Sequence, residues 1–193
     1  MKRNNPIFRI NIWLEHCLLT FKKRQEYYKG GKQRGNMAQP LTAIDVAKYL
    51  LYKANSDGDL ITNLKMQKLL YYAQAWYLVN FSKPLFQDPI KAWKFGPIVE
   101  TAYYHFKRFG LSPIICNDAE KIIPKIHANI RDYLDEYYKI YIQYSASDLT
   151  QMSHNEAPWR ETPQSKEIPL DLIADFYKKQ YIKYIEKKDK KIT

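Results

Sequence analysis

From about Met37 onward, apolar residues recur three and four positions apart, the period of a helix that turns one face inward. Thr42, followed three residues later by Asp45, resembles a capping box, and Ala47, Leu50, Leu51 and Ala54 then line one face of a first helix. The cluster Asn55-Ser56-Asp57-Gly58-Asp59 is turn-forming and ends that helix. Thr62 is the expected cap of a second helix, whose stripe is Met66, Leu69, Leu70, Ala73 and Tyr77 and which runs to about Asn80. Tyr71, Tyr72 and Trp76 make this helix apolar on more than one side, so it is either central to the fold or carries a docking face.

Pro84 and Pro89 each remove a backbone donor and bias the preceding residue toward extended geometry. A loop with at most one short β-hairpin is therefore expected around residues 83–96. Gly96-Pro97 reads as a helix start with proline at the first helical position, and Ile98, Ala102, Tyr103 and Phe106 follow on one face until Gly110. Ile126, Ile130, Tyr133, Leu134, Tyr137, Tyr138 and Tyr141 predict a fourth, tyrosine-rich helix. Ser145 with Asp148 predicts a short capped helix with Ala146, Leu149 and Met152 inward, ended by Pro158 and Pro163. Pro169 opens a last helix with Leu170, Ile173, Ala174, Tyr177, Tyr181 and Ile185 on its stripe. With no internal repeat and no sustained alternation, the expected fold is mainly α, a compact single-domain helical bundle.

Charge changes this picture at the ends. The formal net charge is +11, but residues 1–36 contribute +7 and residues 178–193 contribute +5, so the stretch between is close to neutral. Three units follow: a basic N-terminal extension over 1–36, a helical domain over 37–186, and a lysine-rich tail over 187–193. The extension reads as an upstream start codon wrongly chosen, a basic arm, or an added helix; Ile7–Phe21 carries Arg9, Asn11, Glu15 and His16 and makes a poor signal peptide. Charges interrupt every apolar run before the roughly 18 residues a membrane-spanning helix needs. Cys17 and Cys116 are too few for a disulfide framework, which implies a reducing, cytoplasmic setting.

Two segments carry candidate chemistry. Trp93-Lys94-Phe95-Gly96-Pro97 places two aromatics and a cation beside an expected helix start, where free backbone donors receive anions; the same aromatics also suit the core. Ser153-His154-Asn155-Glu156-Ala157-Pro158-Trp159 holds a hydroxyl, an imidazole and a carboxylate within four residues. Catalytic groups are normally gathered from distant parts of a chain, so His154 is read instead as closing the short helix, its partly cationic ring suiting the helix dipole. A hydrolase or nuclease using His154 with Glu156 or Ser153, drawing in Asp148 or Glu161, is the rival reading; nucleic-acid binding through the basic ends is another. His16, His105, His127 and His154 are scattered without metal-ligand spacing, and no cofactor is expected.

Leu64-Lys65-Met66-Gln67-Lys68-Leu69-Leu70-Tyr71-Tyr72-Ala73-Gln74-Ala75-Trp76-Tyr77-Leu78, then Pro84-Leu85-Phe86, then Ile90 to Val99, then Tyr144-Ser145-Ala146 with Leu149 and Ser153 to Trp159, resemble in order and spacing the Panacea (SocA-like) antitoxin domain family. The resemblance runs through about Met37 to Trp159. It implies a helical fold and a bacterial, phage or mobile-element setting, since members are also described as phage-associated or as products of genetic elements. It implies a non-enzymatic antitoxin whose partner is a cognate protein toxin encoded by an adjacent gene, neutralised by direct contact or by delivery to a cellular protease. On that basis Trp93, Lys94, Phe95, Gly96 and Pro97, with His154, Glu156, Pro158 and Trp159, are expected to shape the toxin-facing surface or the core beneath it. Gln67, Lys68, Leu70, Tyr71, Tyr72 and Trp76 are expected to be structural.

Overall fold

The computed structural model describes residues 40–189. The basic extension and the end of the lysine tail lie outside them. The described chain is mainly α, as expected: helices α1 (Ala43–Asp57), α2 (Asn63–Phe81), α3 (Glu100–Phe106), α4 (Ala128–Tyr141), α5 (Ala146–His154), α6 (Ala157–Arg160) and α7 (Leu170–Asp189), with strands β1 (Ile90–Trp93) and β2 (Gly96–Val99). Both capping boxes form. Thr42 Oγ1 accepts from the Asp45 N–H and the Asp45 carboxylate accepts from the Thr42 N–H, while Ser145 and Asp148 repeat the exchange at α5. Gly58, at φ 75°, stops α1 in the left-handed region and returns its N–H to the Ala54 carbonyl.

Helix α2 is the axis of the molecule. Every residue from Met66 to Leu78 is buried, and α1, α3, α4, α5, α7 and β2 all pack against it. The apolar stripe read in the sequence is thus part of a helix covered on all sides, and the alternative of a docking face on α2 falls. Burial all round leaves its polar side chains to find internal partners, and they do. Gln67 Oε1 accepts from the Val99 N–H at 2.9 Å, and Gln74 Oε1 accepts from the N–H groups of Leu85 and Phe86 at 2.8 and 3.2 Å.

The hairpin forms, but Gly96-Pro97 lies in β2 and α3 begins only at Glu100. The register pairs Trp93 with Gly96 and Ala92 with Pro97. Proline is tolerated there because Ala92 spends its backbone groups on the other side: its N–H donates to the Lys166 carbonyl and its C=O accepts from the Ser165 N–H. The segment at Ser165 and Lys166, far downstream, therefore decides what the local Gly-Pro rule could not. The connection before α4 holds a 3-10 helix, Ala119–Lys125, not anticipated by the pattern. Pro158 does not end α5, which closes at His154; it sits in the first turn of the short α6. Among the described residues no helix is long and apolar enough to cross a membrane.

Candidate functional site

The two motif segments, some 60 residues apart in sequence, meet against α2. The Trp159 Nε1–H donates to the Trp93 carbonyl at 2.9 Å, and Lys68 Nζ donates to the Pro97 carbonyl at 3.1 Å. Gly96, at φ 97°, lets this happen: a Cβ there would strike Lys68 Nζ and stand 2.8 Å from Ser153 Oγ. Glycine is required both for its backbone angle and for the close approach.

Beneath the junction lies a buried polar cluster. Glu156 caps α6 from an extended backbone, and its carboxylate accepts from the hydroxyls of Tyr71 (3.0 Å), Tyr72 (3.1 Å) and Tyr177 (2.6 Å). The first two phenols come from consecutive positions of α2 and the third from α7, so one carboxylate ties three helices. Glu156 as a residue is half-buried, yet its carboxylate end is enclosed. Burial pushes its pKa up to about 7 against the opposing effect of the three hydroxyls and Lys68. Burial likewise brings Lys68 down to about 7, opposed by the charge of Glu156. The same enclosure raises the phenols of Tyr71, Tyr72 and Tyr177, with Glu156 adding to the effect. Trp76 completes the cluster, donating to the Tyr141 hydroxyl at 2.6 Å and packing edge-on against Tyr177 at 4.9 Å.

The Ser153 hydroxyl and the nearby carboxylates have partners other than His154, whose Nε2 is buried without a hydrogen bond. Ser153 Oγ donates to the Thr150 carbonyl, so it is not aimed at His154. His154 stacks on Trp159 with ring centroids 4.0 Å apart and planes 12° apart. Burial, then the Lys68 charge, lowers its pKa, so the neutral ring is favoured and the cationic cap read in the sequence is replaced by ring stacking. Asp148 is engaged in its capping box and Glu161 faces Arg160 at 3.8 Å, so neither joins His154. Among the described residues no group of three His, Cys, Asp or Glu side chains could hold a metal ion.

Of the residues expected at a partner surface, Gly96, Pro97 and Pro158 are buried and Trp93, His154, Glu156 and Trp159 are half-buried; Lys94 and Phe95 form the exposed turn. The motif residues Gln67, Lys68, Leu70, Tyr71, Tyr72 and Trp76 are all buried. On α3, half-buried Tyr103, read in the sequence only as part of an apolar face, and exposed Tyr104, not singled out there, have rings 5.1 and 6.3 Å from Trp93. Phe95 is 62% exposed and Tyr104 57%. Tyr177, the third ligand of Glu156, was visible only as one of six apolar stripe positions.

The family model for the SocA-like antitoxin, Panacea domain, matches residues 66–160, a span that holds both motif segments and the hairpin. The chain is 34% identical over 131 residues to Antitoxin SocA of Caulobacter vibrioides (strain NA1000 / CB15N), covering 63% of this chain and 70% of that protein. No solved structure matches.

Proposed function

The chain belongs to the SocA-like Panacea family of antitoxins, and on that premise we propose that it neutralises a cognate protein toxin, the product of an adjacent gene, by direct contact in the cytoplasm. The observation that carries this reading is the aromatic turn. Within the family-matched span, Phe95 stands exposed at the turn of a hairpin braced from below by Lys68 and Trp159, and Tyr104 stands exposed on α3 with its ring 6.3 Å from that of Trp93. Exposed aromatics on a rigid support are what a tight interface uses as anchors, because they bury a large area at a small entropy cost. The Ser153 hydroxyl and the Glu156 carboxylate are engaged in internal bonds, and the His154 ring stacks on Trp159 with neither of them as its partner, which supports a binding role over a catalytic one.

In this reading residues 37–186 are the neutralising unit, and the basic extension and tail are dispensable. Neutralisation by masking needs only occupancy of the toxin's working surface with a slow dissociation rate. Co-expression of the full chain with the product of the neighbouring open reading frame, scored for growth rescue and co-purification, tests it. Rescue with a stable complex is expected, and Phe95→Ala with Tyr104→Ala should lose both. Rescue that depends on a host protease would assign delivery to that protease instead, and a neighbour that is not toxic would remove the reading.

A further inference from the structure

Around the exposed turn three cations lie close to aromatic rings. Lys94 Nζ lies 5.6 Å from the Phe95 ring, Lys107 Nζ 5.6 Å from the Tyr104 ring, and the Arg108 guanidinium 4.9 Å from the Phe109 ring. None of these three cations joins an ion pair among the described residues. The nearby acids are already engaged. Glu100 faces Lys91 at 2.6 Å, and Asp88 accepts from the Ala43 N–H at 2.8 Å and from the Thr101 hydroxyl at 2.5 Å.

We propose that this surface, with Phe95 and Tyr104 as apolar anchors and Lys94, Lys107 and Arg108 as a cationic rim, docks an acidic face of a partner protein. The inference rests on the binding role proposed above and adds the partner's chemistry. Unpaired cations around exposed rings leave an uncompensated positive potential, which an acidic partner relieves on docking while gaining steered association. A nucleic acid would also answer the charge, but stacking of bases needs open ring faces. Here ammonium groups lie over the faces of Phe95 and Tyr104, an arrangement that suits carboxylates meeting the cations and aliphatic groups meeting the ring edges.

The test uses the full chain and two fluorescent probes: a 15-residue peptide of Asp and Glu interspersed with Leu and Phe, and a 15-nucleotide oligo(dT). The peptide is expected to bind at low salt and to weaken at least about tenfold in a Lys94→Glu/Lys107→Glu/Arg108→Glu variant and in Phe95→Ala/Tyr104→Ala. Thermal midpoints should hold in both, since the changed side chains are exposed. Reversing Lys187, Lys188, Lys190 and Lys191 to Glu is the control for attraction by net charge alone and should leave peptide binding within about twofold. No peptide binding, equal loss in the tail variant, or tighter binding of oligo(dT) through the same rim would each overturn the proposal. Growth rescue by the same proteins separates the two readings. Rescue that survives rim reversal overturns the acidic-partner surface and leaves the antitoxin role intact, whereas absence of rescue by the unaltered chain counts against that role, with the peptide result still deciding the surface.

Discussion

Three phenol protons converge on one enclosed carboxylate, and the nearest ammonium, Lys68, is itself buried, so each of the two charges is costly at neutral pH. Linkage gives this a measurable sign. Glu156 is raised from 4.5 to about 7, so its contribution to stability is full below about 4.5 and lost as pH rises through about 7. Lys68 is lowered from 10.5 to about 7, so its contribution is full above about 10.5 and lost as pH falls through about 7. Together they place a shallow minimum of stability near pH 7. Urea midpoints at pH 5, 7 and 9 should show it. Glu156→Gln should remove the acid-side slope and Lys68→Met the alkaline-side slope; parallel profiles for both variants and the unaltered chain would sink the assignment. Gly96 is the other residue whose identity is forced. Gly96→Ala must relieve a clash with Lys68 and hold a φ of 97°, and should lower unfolding free energy by about 2 kcal/mol or more, read from the same melts. At this scale the cap residues Thr42 and Ser145 were legible because their partners lie three positions away. The role of Glu156 was not, because its partners arrive from two other helices and no local rule distinguishes a phenol that bonds from one that only packs.

Among elements, α2 carries the consequence of full burial. Two glutamines on it replace the pairing that the irregular stretch before and after the hairpin lacks: Gln74 holds the backbone of Leu85 and Phe86, and Gln67 holds Val99 where β2 hands over to α3. Met at either position keeps the volume and removes the bonds. Gln74→Met leaves two buried N–H groups and the Phe86 carbonyl unpaired and should cost about 3 kcal/mol, more than Gln67→Met, which strands fewer groups. Equal, small effects in chemical denaturation would mean that these glutamines are incidental. The helices themselves were readable, since caps and a 3.6-residue period are local signals. The hairpin's register was not: β1 is held on its outer side by residues 165–168, and only that contact makes Pro97 a strand residue. The boundary of α5 failed in the same way, Pro158 being compatible both with ending a helix and with beginning one.

For the whole molecule, the mainly-α class followed from the pattern, and the family followed from several motifs in one order, yet neither distinguishes a motif residue that touches a partner from one that holds the turn in place. The motif residues and their neighbours do differ in depth. Phe95 and Tyr104 are exposed, while Gly96 acts within the hairpin, Gln74 through the backbone just before it, and Glu156 through the tyrosines of α2 and α7. Loss of neutralisation should therefore divide into two kinds. A variant such as Gln74→Met fails because too few molecules are folded, and a deficit of about 3 kcal/mol falls in weight where the fold has margin, at lower temperature or with higher expression. Phe95→Ala removes an anchor without unfolding anything, so its deficit belongs to the dissociation rate and persists under those conditions. Growth rescue compared at 20 and 37 °C, with thermal midpoints measured alongside, should show Gln74→Met recovering in the cold and Phe95→Ala failing at both temperatures with an unchanged midpoint. If Phe95→Ala instead recovers with its fold, the aromatic turn is part of the scaffold, and the toxin-facing surface lies elsewhere on the molecule.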